Sequence, residues 1–193
     1  MELLTTNLYI FLLATVLAIL EIQIEGEAGW AKNLPTWRPH PGNLIGKIYK
    51  KAMSGKELTG YHASMFILVF LIFQMPYFFG VSFTLEHWLQ TLSLYFIFIA
   101  LWDFLWFVLN PYYPLKDFIK NNPNHKSFFL GMPVDYYFAI VVSLVILIPI
   151  AFASHSVEII DWWSINIVLF VIETIITILF SIFILNIDNW QKK

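Results

Sequence analysis

The chain has 193 residues, of which 59% are hydrophobic and 12% charged, about half the charged fraction of an ordinary soluble domain. A soluble core of that size cannot absorb so much apolar surface, so lipid is the natural solvent. The net charge of -2 is uninformative alone, no basic nucleic-acid footprint appears, and the absence of cysteine excludes disulfides, thiolate nucleophiles, Cys-ligated zinc, iron–sulfur clusters and covalently attached haem.

The first predicted span covers 3–23. Its run Leu3–Leu20 is 18 residues without a charge, about 27 Å as a helix and close to the thickness of a bilayer core. The segment carries Glu2 in place of a basic leader and has no small-residue cleavage site, so it reads as a retained span. The connector 26–60 follows, with Lys32, Arg38, Lys47, Lys50, Lys51 and Lys56. Within it Leu34–Pro41 is too rich in proline for a helix and too aromatic for disorder, which predicts an ordered loop at the interface. Leu44, Ile45, Ile48, Tyr49 and Ala52 then recur at helical spacing with Lys47, Lys50 and Lys51 between them. That is the pattern of a short amphipathic helix, lying on an anionic leaflet or packed on the protein's own inner face.

Span two is expected over 61–80, with Pro76 late in it. Span three covers 87–110 and is stopped by Pro111. A connector 111–134 holds Lys116, Lys120 and Lys126, span four covers 135–153 with Pro149 near its end, and span five covers 164–185 before Lys192 and Lys193. All eleven Lys and Arg residues fall in alternate connectors, and the connectors around Glu86 and Glu158 have none. The positive-inside rule then places the N-terminus outside and the C-terminus in the cytoplasm. The expectation is an all-α integral membrane protein: a five-helix transmembrane bundle forming a single membrane domain over 1–193, plus the short interfacial helix. It would sit in a bacterial or archaeal cytoplasmic membrane or a eukaryotic endomembrane, with anionic lipid at its inner face and no nucleic-acid partner. The two halves share no pattern of broken helices, against an inverted-repeat transporter.

Ionisable side chains within spans are costly and default to a functional hypothesis. Glu21 and Glu25 lie one turn apart at the inner end of span one, His62 opens span two, Asp103 lies in span three, Asp135 begins span four, and His125 precedes it. The topology brings all of them to one level, so a single pocket can form. Asp103, His62 and Glu25 are the candidate catalytic residues. Glu21, Glu25, His62, Asp103 and His125 are candidate ligands for a divalent ion such as Zn, Mn or Fe. Trp37, Arg38, Trp102, Trp106 and Asp135 are candidates for substrate contact, with Trp30 as a further wall and Trp102 and Trp106 forming one aromatic stripe suited to an acyl or isoprenoid chain. The plainer alternatives stay open: Glu21 and Glu25 ending a span at water, Asp135 capping its helix, and the tryptophans anchoring the interface.

Several chemistries are set aside, since the sequence has no H-E-x-x-H, no G-x-S-x-G, no histidine boxes, no paired Glu-x-x-His and no Gly-rich phosphate loop. The functional expectation is a membrane-embedded enzyme acting on a lipid or amphiphile at the cytoplasmic leaflet. The alternatives are a small transporter or channel subunit using Glu173 with Gln74, and a non-catalytic membrane scaffold or assembly protein.

Overall fold

The computed structural model describes residues 3–27, 29–40, 42–52, 55–113, 115, 118–119, 125, 127–154, 157–187 and 189. Glu2, Pro41, Lys116, Lys120, Lys126, Lys192 and Lys193, used above, lie outside the described residues, as does the Ala52 side chain. In chain order the elements are α1 (Leu3–Glu25), α2 (Leu44–Ala52), α3 (Gly60–Phe78), α4 (Leu85–Leu109), a hairpin of β1 (Phe128–Phe129) and β2 (Met132–Pro133), α5 (Val134–Val145), α6 (Ile148–Ser154) and α7 (Glu158–Phe183). The hairpin is antiparallel and pairs Phe128 with Pro133 and Phe129 with Met132. Among the described residues, five helical stretches are long and apolar enough to cross a membrane: α1, α3, α4, Val134–Ala153 and α7.

Two features differ from expectation for physical reasons. The last long helix begins at Glu158 rather than Ser164, because Glu158 and Asp161 fall in its first turn, where the helix dipole favours acidic side chains. The fourth stretch is interrupted at Ile146 and Leu147. Pro149 has no N–H to donate to the Val145 carbonyl, and Leu147 N bonds back only three residues, to Leu144 O at 3.0 Å. Pro76, by contrast, neither ends nor replaces the last turn of α3, which runs on to Phe78.

Helix α4 is the hub. It buries Leu94, Ile97, Phe98, Leu101, Trp102, Leu105 and Val108, a three-and-four spacing that lays apolar side chains along the packed side of one helix. It packs against α1, α3, α5 and α7. Ala14 and Ala18, fully buried one turn apart on α1, let helices approach closely in the manner of small-residue motifs. Dispersed hydrogen bonds tie the helices further. Asn7 Nδ2 donates to Asn166 Oδ1 at 2.9 Å, Ser181 Oγ to Val108 O at 2.7 Å, and Trp163 Nε1 to Ser143 Oγ at 2.9 Å. Each such bond contributes on the order of 0.6 kcal/mol in lipid.

These ties also set direction. Asn7 and Asn166 join the N-terminal halves of α1 and α7, while Ser181 and Val108 join the ends of α7 and α4. So α1, α4 and α7 run one way, and their C-terminal ends meet the first turns of α3 and α5. The residues expected to carry chemistry gather at that end.

Candidate functional site

The site is built from two histidines, each placed by a local device. Thr59 caps α3: its Oγ1 accepts from His62 N at 3.2 Å and lies 2.8 Å from His62 Nδ1. With Nδ1 so engaged, the opposite nitrogen faces α1, where Nε2 meets Glu25 Oε1 at 3.4 Å and Glu21 Oε1 at 3.7 Å. All three side chains are buried.

The chain after α1 wraps this histidine. Gly26 takes φ +61° and ends the helix, since only glycine adopts that conformation without steric cost. Trp30 then stacks on the His62 ring, centroids 4.0 Å apart and planes within 16°. Ala31 N donates to Glu25 Oε1. The proline-rich stretch is laced to the start of α3, with Gly60 N donating to Trp37 O at 2.7 Å and Tyr61 N to Thr36 Oγ1 at 2.8 Å. A Cβ on Gly60 would lie 3.2 Å from Thr36 Oγ1 and 3.3 Å from Trp37 Cβ, so a side chain there would have to push the loop back by a few tenths of an ångström.

The β1–β2 hairpin, with Leu130 and Gly131 at positive φ, feeds α5 and leaves His125 between α4 and α5. His125 Nε2 lies 2.7 Å from Asp103 Oδ2, and Nδ1 lies 3.0 Å from Asp135 Oδ2. Tyr136 donates its hydroxyl to Asp103 Oδ2 as well. Burial alone would depress His125, but the Asp103 carboxylate and the hydrogen bonds to both acids raise its pKa on balance. His125 therefore favours the doubly protonated ring, which donates from both nitrogens.

Between these two groups lies a cavity of about 600 Å³. One part of its wall is charged: Glu21, Lys56, His62, Asp103 and Asp135. The other is apolar and aromatic, from Phe66 on α3, Tyr95, Phe96 and Ile99 on α4, and Phe138 and Ala139 on α5. Lys56 is 6% exposed, with its ammonium 3.7 Å from Asp135 Oδ2 and 4.5 Å from the Trp30 ring centre. Tyr49 also lines the cavity, and burial pushes its hydroxyl up to about 12, so it stays neutral.

The expected site residues divide. Glu21, His62, Trp102, Asp103 and Asp135 line the cavity, with Glu25 and His125 directly behind them. Trp106 is buried against Phe107 and Tyr113, outside the cavity wall. Trp37 is 61% exposed, and Arg38 spends its guanidinium on the Ala31 and Lys32 carbonyls. Glu173 lies in mid-α7 away from the cavity, with Oε2 buried and unpartnered, while Gln74 Oε1 accepts from Trp88 Nε1 at 3.1 Å. Asp103 and His125, grouped above with Glu21, Glu25 and His62, instead hold each other.

Sequence reasoning did not pick out Thr59, Tyr136 or the local role of Lys56. A Thr three residues before His62 is a helix-cap signal and was available; the partners of Lys56 and Tyr136 arise from loops and helices far apart in sequence. No protein-family model matches this sequence, and neither the curated proteins nor the solved structures searched give a match.

Proposed function

We propose that this chain is a membrane-embedded enzyme acting on the polar head of a lipid or other amphiphile. The observation that carries the reading is the cavity's division into a charged part and an aromatic, aliphatic part, the two halves of an amphiphile's own chemistry. Lys56 supplies a buried ammonium for an anionic or carbonyl oxygen. Asp103 and Asp135 present carboxylates within the same space, suited to proton transfer at a head-group oxygen. His125 touches both acids from behind and acts as a positioning residue.

The membrane placement belongs to the same reading. With the basic connectors inside, the charged part of the cavity opens at the cytoplasmic leaflet. On α2, Leu44, Ile45 and Ile48 are exposed, as are Lys47, Lys50 and Lys51. Such a helix fits the interface of an anionic leaflet.

The test is turnover. Protein reconstituted in nanodiscs is incubated with a panel of phosphorylated and acylated amphiphiles, and products are followed by mass spectrometry. Asp103→Asn is expected to lower the turnover of the accepted class by about 100-fold or more while elution and helicity stay unchanged. Equal turnover in both proteins, or none by the wild type on any member, rejects the enzyme.

A further inference from the structure

We infer that Glu21, Glu25 and His62 bind one divalent transition-metal ion, with a coordination position left open to the cavity. Among the described residues, these three side chains offer ligand atoms that all lie within 4.8 Å of one another. Ligands about 2.1 Å from a tetrahedral ion stand about 3.4 Å apart. The observed separations from His62 Nε2 are 3.4 and 3.7 Å, so each carboxylate is within a few tenths of an ångström of that spacing from the histidine, and all three ligand atoms lie within 4.8 Å of one another.

The second observation is the histidine itself. His62 is 3% exposed, and its Nδ1 is engaged by Thr59. Its Nε2 faces two carboxylates at distances beyond the usual 2.7–3.2 Å of an N–H···O bond. With Nδ1 donating its proton to Thr59 Oγ1, a buried Nε2 aimed between two acids and hydrogen-bonded to neither among the described residues offers its lone pair to a cation. The arrangement also carries the support usual behind a metal site: Thr59 orients the histidine ring, and Ala31 N holds Glu25. Trp30 closes one face of the ring.

The donor set selects the metal. One imidazole and two carboxylates without thiolate suit Zn²⁺, Mn²⁺ or Fe²⁺, whereas Ca²⁺ takes six to eight oxygens. Three protein ligands leave a fourth position, as catalytic zinc sites do. Because Glu21 and His62 line the cavity while Glu25 sits behind them, that position faces Lys56, Asp103 and Asp135, where a water or a head-group oxygen would enter.

The assignment extends the proposed function, and the two fail separately. Metal held without turnover removes the enzyme only; turnover by protein that takes up no metal removes the site only. The full chain is purified in detergent, stripped with chelator, and titrated with Zn²⁺ and with Co²⁺. One equivalent of Zn²⁺ is expected by elemental analysis, with Co²⁺ giving the visible absorption of a tetrahedral site. His62→Ala and Glu21→Gln should each weaken binding by about 100-fold or more, and Asp103→Asn should leave it within a few-fold. Less than stoichiometric metal in the wild type, or absence of the tetrahedral Co²⁺ spectrum, overturns the assignment without reference to any variant. So does equal affinity in folded His62→Ala.

Discussion

His62 and His125 stand at the same end of the bundle and face the same kind of partner, two carboxylates each, yet the distances separate them. His125 meets its acids at 2.7 and 3.0 Å, with the Tyr136 hydroxyl completing Asp103. His62 meets its acids at 3.4 and 3.7 Å, with one nitrogen turned away to Thr59. The first group is a closed network in which charge and hydrogen bonds are satisfied within the protein. The second is looser: its three ligand-type atoms lie within 4.8 Å of one another, and His62 Nε2 reaches neither acid at hydrogen-bonding distance. Buried polar groups are stable when fully connected and costly when not, so the closed group ties α4 to α5 while its two acids line the cavity, and the looser group is the one proposed above to take a metal.

The largest effect expected from that contrast is on stability. Replacing His125 by Ala leaves the half-buried Asp103 and Asp135 beside each other with only Lys56 as counter-charge among the described residues, which costs about 3 kcal/mol. In metal-free protein, His62→Ala removes no hydrogen-bonded ion pair and loses the Thr59 hydrogen bond and the Trp30 stacking, together on the order of 2 kcal/mol. Unfolding of both variants in mixed micelles measures the difference. Equal losses would show that the two groups are energetically alike and that the distances mislead.

A second expectation concerns pH. His125 takes up its proton more readily in the folded chain than in the unfolded one, where the value is about 6.5. Its stabilisation is therefore complete below that pH and disappears as pH rises through the elevated folded value. The stability gap between wild type and His125→Gln should narrow with rising pH over that window. A gap that widens would reverse the assignment of the doubly protonated ring.

How much of this was legible in the sequence follows from the range of each interaction. Four of the five predicted spans agree with the observed helices to within about two residues at each resolved end or break only at Pro149, because length and apolar content are local properties. The start of α7 was missed since Glu158 and Asp161 look like interface charges until the helix dipole is counted. That Glu21, Glu25, His62, Asp103 and Asp135 would meet was also legible, because topology alone sets their common level. Which histidine would pair with which acids was not. The split depends on a cap at Thr59 that turns one ring and on a hairpin at Leu130 and Gly131 that delivers the other, and neither leaves a mark in hydropathy. Trp37 and Arg38 failed as wall residues for a similar reason: their backbone and guanidinium are used to lace the loop to α3 and to itself.

The smallest effect on stability should sharpen the comparison most. Thr59 touches no carboxylate, yet its one oxygen both caps α3 and holds the His62 ring. Thr59→Ala is expected to cost about 1 kcal/mol, the ordinary loss of a helix cap. If the looser group is a metal site, the same change frees the ring to rotate and lowers Zn²⁺ affinity by about 10–100-fold, the usual effect of removing a partner that orients a ligand. Thr59→Ser keeps the oxygen and should restore both. A cap that served the helix alone would show the stability loss with unchanged metal affinity, so the pair of measurements separates a residue that merely starts a helix from one that aims a histidine.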